Sequence, residues 1–128
     1  MPLPLDKLKD QTSLVSSFYN RFPYPSDSLK EGMPSDLDWR YSVKSVYSKL
    51  SKELPANFEK CQKFRILDAG CGTGVSTNAL AYSNLGSEII AIDISHEALS
   101  IAKQRVLKSE ADRKSKINFI EVNLDDFE

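Results

Sequence analysis

Ile66-Leu67-Asp68-Ala69-Gly70-Cys71-Gly72-Thr73-Gly74 is an apolar strand that runs into a glycine-rich turn. Glycines at alternate positions let the backbone reverse sharply and approach a ligand closely. The helix that begins near Val75 presents its unpaired N–H groups at the same turn. About twenty residues further on, a second acid, Asp93, closes another apolar run, Ile89-Ile90-Ala91-Ile92. A strand, a glycine turn, a helix, a second strand and an acid at its end together read as the cradle of a nucleotide-type cofactor. Val75 stands where a G-x-G-x-x-G motif has its last glycine, so the dinucleotide pattern is not satisfied.

Outward from the cradle, the chain alternates strand and helix. Phe64 to Asp68 is expected as a strand, Val75 to about Asn84 as a helix closed by Gly86, and Glu88 to Asp93 as a second strand. Ser95 is placed to cap the next helix, with Glu97 favourable against its N-terminal dipole. Leu99, Ala102 and Val106 give that helix a broad apolar stripe, and a third strand is expected over Ile117 to Val122. Apolar strands without in-out alternation are buried on both faces, as in parallel sheets. The order β-α-β-α-β specifies right-handed crossovers, hence an α/β fold with a partial doubly wound, Rossmann-like parallel sheet of strand order 3-2-1.

Upstream the pattern is helical. Leu8, Val15, Phe18, Tyr19 and Phe22 lie on one helical face, and Pro23 and Pro25 stop that helix. Pro23 to Asp38 reads as a loop, and Trp39, Val43, Val46, Tyr47 and Leu50 predict a second helix ending before Pro55. The expected organisation is therefore a helical N-terminal extension over 1–60 and a cofactor-binding half domain over 61–128.

The 128 residues hold 17 basic and 18 acidic side chains, 41% hydrophobic residues and no run of eighteen apolar ones. A soluble globular domain is expected, without a general field for nucleic acid and without a membrane span. Cys61 and Cys71 form no CxxC pair, which suits a reducing cytoplasm.

In a doubly wound sheet, ligands bind beyond the carboxyl ends of the strands, where Asp68, Asp93 and Asn123 all fall. Asp93 is placed to accept hydrogen bonds from a ribose diol, since a carboxylate has room for two hydroxyls. A glycine turn alone also occurs in α/β proteins without ligands. Its combination with an acid at the end of the next strand is what specifies a cofactor. Cys71 reads as a small turn residue rather than a nucleophile, and His96, the single histidine, as a helix-start residue without a partner to orient it. Asp125, Asp126 and Glu128 read as a solvated tail rather than a metal site.

The stretch ILDAGCGTG, Ile66 to Gly74, resembles the first motif of class I S-adenosylmethionine-dependent methyltransferases, and AIDIS, Ala91 to Ser95, resembles the second. The similarity continues in NFIEVNLDDF, Asn118 to Phe127. The resemblance implies S-adenosylmethionine as cofactor. Asp68 and the turn Gly70, Cys71, Gly72 and Gly74 would contact its methionine moiety, Asp93 its ribose, Ile94 one adenine face, and Asn123 and Leu124 the adenine edge. The family more often has Asp at the position of Asn123, although an Asn carbonyl still accepts from an adenine amino group. YNRFPYPSDSL from Tyr19 and DLDWRYS from Asp36 resemble an N-terminal extension of cyanobacterial members. Tyr19, Phe22, Tyr24, Trp39 and Tyr41 are expected either to form a lid over the cofactor or to pack the helices onto the sheet.

In this family the acceptor-handling residues come largely from the loop after the fourth strand and beyond, and the sequence ends at Glu128, before that strand. No catalytic residue is assigned, and the methyl acceptor is open. The expectation is the cofactor half of a methyltransferase, a fragment or truncated form. The alternative is a non-catalytic remnant, or a subunit whose sheet a partner chain completes at the apolar edge of Phe64 to Leu67.

Overall fold

The computed structural model describes residues 13–18, 20–21, 28–34, 37–50 and 63–126. Strands β1 (Arg65–Ala69), β2 (Glu88–Asp93) and β3 (Lys116–Glu121) form one parallel sheet in the order β1-β2-β3, the arrangement expected. The register sets Ile66 beside Ile89 and Ile89 beside Ile117, so the apolar runs lie abreast. Two strands are shifted by one residue from their expected bounds. The amide of Phe64 donates to the hydroxyl of Ser87 at 3.0 Å instead of a ladder carbonyl, so regular pairing begins at Arg65. Lys116 enters β3 because its amide donates to Ser87 O at 2.9 Å, a backbone bond that hydropathy does not report.

Helices α3 (Val75–Ser83) and α4 (His96–Ser109) connect the strands and pack on one face of the sheet. Ala81, Ile89, Val106 and Ala111 form the larger core cluster, joined by Ile66, Ile117 and Phe119; Cys71, Ala91 and Leu99 form the smaller one. The strand members, Ile66, Ile89, Ala91, Ile117 and Phe119, are alternate residues on the face that meets the helices. A sheet that steps in one direction through right-handed crossovers puts both connecting helices on the same side. The expectation of burial on both faces holds for the central strand, where Ile92 on the face away from the helices is as fully buried as Ile89 and Ala91, and is corrected for the two outer strands. On the opposite face Leu67 is 50% and Ile120 40% exposed, and β1 alternates exposed and half-buried residues along its length.

Upstream, α1 is described at 13–18 and 20–21, and α2 is Val43–Leu50. The expected single helix from Trp39 is instead a 3-10 turn, Trp39–Tyr41, and a separate α2, with Ser42 extended between them. The cause lies elsewhere in the chain. Asn84, buried just after α3, donates from Nδ2 to Tyr41 O at 2.7 Å and accepts the amide of Val43 at its Oδ1 at 2.9 Å, which restarts the helix at Val43. On α1 the apolar positions Val15 and Phe18 are exposed, while Leu8, Tyr19 and Phe22 lie outside the described residues. No helix among the described residues is long and apolar enough to cross a membrane.

Candidate functional site

The site grows from the end of β1. Gly70, Gly72 and Gly74 adopt φ of 72°, 57° and 85°, the left-handed region in which a side chain is strained. The turn they make is pinned to the neighbouring strand: the amides of Gly70 and Cys71 both donate to Ile92 O at 2.9 Å. Gly74 then caps α3, and a Cβ there would lie 2.8 Å from Ala102 Cβ and 2.9 Å from Ala102 Cα. The last glycine is thus what lets α3 and α4 approach, whereas a Cβ at Gly70 would meet nothing within 4 Å.

Asp93 ends β2 and holds the cradle together. Its Oδ2 accepts the amide of Gly72 at 2.8 Å and its Oδ1 the amide of Ser95 at 2.9 Å. Each carboxylate oxygen accepts more than one hydrogen bond, so both keep capacity for a ligand's hydroxyls. Asp68 has a structural task as well: the hydroxyls of Ser76 and Thr77 donate to its Oδ2 at 2.8 and 2.6 Å, tying the end of β1 to the first turn of α3. Nothing in the hydropathy pattern marks those two hydroxyls; a strand-end acid followed by Ser and Thr in the first helical turn was the available signal.

The sheet register pairs Asp68 with Ala91, so Asp93 stands two residues further toward the carboxyl edge. The two acids and the glycine turn are brought together as expected. Ile94 is half-buried in the bend that follows β2. Asn123 uses its Oδ1 to accept the amide of Asp125 at 3.2 Å, capping the short 3-10 turn Leu124–Asp126. The Leu124 side chain lies outside the described residues.

Cys71 faces inward, packed with Ala91 and Leu99, so the turn offers its backbone rather than its sulfur. Burial, reinforced by the charges of Asp68 and Asp93, pushes its thiol up to about 12, which keeps it protonated and unreactive. His96, expected to lack a partner, has its Nδ1 3.2 Å from Glu121 Oε2 across the α4–β3 surface. That pair is formed by β3 folding back beside α4, which the sequence does not display. Asp125 and Asp126 are exposed, as a solvated segment requires.

The geometry is a glycine turn flanked by acids at two adjacent strand ends, and comparison with known proteins names the family of the chain. The family described as "Methyltransferase domain" matches residues 60–128. The chain belongs to the class I S-adenosylmethionine-dependent methyltransferases.

Similarity to individual proteins varies in extent. The chain is 40% identical over 116 residues to an uncharacterized protein of Synechococcus sp., covering 90% of this chain and 26% of that one. It is 35% identical over 100 residues to the uncharacterized phycocyanin operon protein W of Pseudanabaena tenuis, covering 78% of this chain and 91% of that one. A shorter match, 43% over 53 residues, is to the magnesium-protoporphyrin O-methyltransferase of Rhodobacter capsulatus, covering 41% of this chain and 21% of that enzyme. The chain thus spans about a quarter of the Synechococcus relative and nearly all of the Pseudanabaena one.

The N-terminal extension supplies site contacts that sequence reasoning missed. Arg105, buried on α4, donates from Nε to Thr73 O at 2.8 Å and from Nη1 to Ser28 O at 3.0 Å, which joins the glycine turn to the loop upstream. Ser16 and Asn20 of α1 reach the bend after β2. None of these could be paired from the sequence, because each contact spans 32 to 78 positions. Of the aromatic residues expected either to form a lid or to pack the helices onto the sheet, Trp39 is exposed and Tyr41 half-buried, and Tyr19, Phe22 and Tyr24 lie outside the described residues.

Proposed function

We propose that this chain binds S-adenosylmethionine at the carboxyl edge of β1 to β3 and serves methyl transfer to an acceptor still to be identified. The observation that carries the reading is Asp93: a carboxylate held by two backbone amides, one from the glycine turn and one from the start of α4. An acceptor fixed in this way, at the end of the second strand, suits the vicinal hydroxyls of a ribose. The donor set fits the rest of the cofactor too. The glycine backbone and Asp68 would hold the methionine portion, Ile94 would lie against adenine, and Asn123 with Leu124 would border its edge.

When bound, S-adenosylmethionine supplies an activated methyl group on a sulfonium sulfur. The chain's own residues bind and orient it, and such positioning is the larger part of what an in-line displacement requires. Cys71, buried and protonated, is not a proton acceptor for this chemistry. A second reading, cofactor binding without turnover by the chain alone, draws support from that inert thiol and from the surface pairing of His96 with Glu121. A partner chain completing the sheet belongs to this second reading.

Titration calorimetry with S-adenosylhomocysteine tests the proposal, with Asp93→Ala as the control. Binding by the wild type that the variant loses supports it, and a folded wild type that binds neither S-adenosylhomocysteine nor S-adenosylmethionine refutes it. Methyl transfer from the isolated chain to any acceptor would eliminate the non-catalytic reading.

A further inference from the structure

Helix α1 reaches the candidate cofactor site through polar side chains one turn apart. Ser16 donates from Oγ to Ile94 O at 3.3 Å. Asn20 accepts at Oδ1 from the hydroxyl of Ser95 at 2.8 Å and from the amide of Glu97 at 3.2 Å. Ser95 is completely buried; its hydroxyl also accepts the amide of Ala98 at 3.1 Å, and its own amide donates to Asp93. A continuous hydrogen-bonded path therefore runs from Asn20 through Ser95 and Asp93 to the amide of Gly72.

The first turn of a helix leaves amides without intrahelical partners, and a local cap ordinarily satisfies one of them. In α4 Ser95 serves Ala98, but the acceptor for Glu97 comes from a residue 77 positions away. The start of α4 is complete only when α1 is docked. Among the described residues of α1, the contacts to this bend are the polar ones of Ser16 and Asn20. The same N-terminal segment meets the other side of the cradle, where Arg105 bridges Ser28 O and Thr73 O.

We propose that Asn20 is a positioning residue of the cofactor site, holding the bend Asp93 to Glu97 in the form that receives the adenosine half of the ligand. This rests on the S-adenosylmethionine reading above. Asn20 acts through Ser95 and Asp93 and touches no reacting atom. Its removal strands two donors, the hydroxyl of buried Ser95 and the amide of Glu97, and so loosens the backbone of the bend whose Ser95 amide holds Asp93. The N-terminal extension is then part of the cofactor site.

The test is titration of the full chain with S-adenosylhomocysteine, comparing wild type, Asn20→Ala, Asn20→Asp and Ser115→Ala. Asn20→Asp keeps the accepting oxygen and adds a charge that the helix N-terminus favours. Ser115→Ala removes hydrogen bonds to Ala81 O and Asn84 O at the opposite end of the sheet and controls for stability loss alone. The expected result is a Kd about tenfold higher for Asn20→Ala. Asn20→Asp should stay near wild type, Ser115→Ala should be unchanged, and amide exchange should quicken at Glu97 and Ala98 in Asn20→Ala only. A folded Asn20→Ala that binds like wild type overturns the positioning role and leaves the cofactor reading intact. An equal loss in Ser115→Ala, or no recovery in Asn20→Asp, also overturns it. A folded wild type that does not bind removes the cofactor reading and this role with it. Should Asn20→Ala not fold, Ser16→Ala takes its place with an expected rise of about twofold, and an unchanged Kd there decides against the role.

Discussion

Replacing Gly74 by alanine separates two demands that a glycine turn makes. Gly74 has φ of 85° and Gly70 φ of 72°, so an alanine at either position carries a similar left-handed strain of about 1–2 kcal/mol. Both replacements also stiffen the unfolded chain alike, which offsets about 0.4–1 kcal/mol in each. They differ in space. At Gly74 the new Cβ would lie 2.8 Å from Ala102 Cβ and 2.9 Å from its Cα, whereas at Gly70 nothing stands within 4 Å. Part of the opposing surface is helix backbone, which cannot swing aside as a side chain tip does. Overpacking of this kind costs about 1–3 kcal/mol, so Gly74→Ala should be less stable than Gly70→Ala by that amount. Urea unfolding followed by circular dichroism measures the gap, expected as a midpoint lower by about 1 M at an ordinary slope. Ala102→Gly should recover part of the loss in the Gly74→Ala background only, since it removes the Cβ and leaves the Cα. Equal stability of the two glycine variants would refute the claim that Gly74 is there for the α3–α4 approach.

Further outcomes follow from buried polar groups. Cys71 should resist alkylation in the folded chain at pH 8 and react once urea unfolds it. Its raised pKa also makes stability fall with pH. The unfolded thiol loses its proton near the ordinary value of 9.0 while the folded one keeps it to about 12, so the contribution is complete below pH 9 and lost above it. The slope is about 1.4 kcal/mol per pH unit at most, and Cys71→Ala should abolish it in unfolding curves taken between pH 8.5 and 10.5. Asn84→Ala should cost about 2–4 kcal/mol in chemical denaturation, because bonds to Tyr41 O, Leu80 O and the amide of Val43 go together. Asn84→Asp should do no better, since it turns a carboxylate oxygen toward two carbonyls; wild-type stability in either variant would show that the restart of α2 does not depend on this side chain.

The sheet and its crossovers were legible because their causes are local. Alternating apolar runs and glycine breaks announce strands and helices, and chirality leaves one way to wind them. The strand order and the cap at Ser95 were reached this way. Bounds moved by one residue where a side chain substituted for a ladder partner, as Ser87 does for the amide of Phe64. The second helix was found but its start was misplaced for a related reason: the periodicity from Trp39 to Leu50 is helical, but Asn84, distant in sequence, divides it at Ser42. On α1 periodicity found the helix, and of its expected apolar face Val15 and Phe18 are exposed while Leu8, Tyr19 and Phe22 lie outside the described residues.

By itself the sequence determined a glycine turn at one strand end and an acid at the next, since each is written in consecutive residues. Tertiary structure alone decided what holds the cradle in shape. Asp93 is fixed by amides from two different loops, Asp68 by hydroxyls of the following helix, and the bend after β2 by Ser16 and Asn20. A hydrogen bond needs its partners within about 3 Å, and for residues up to 78 positions apart only the folded chain sets that distance.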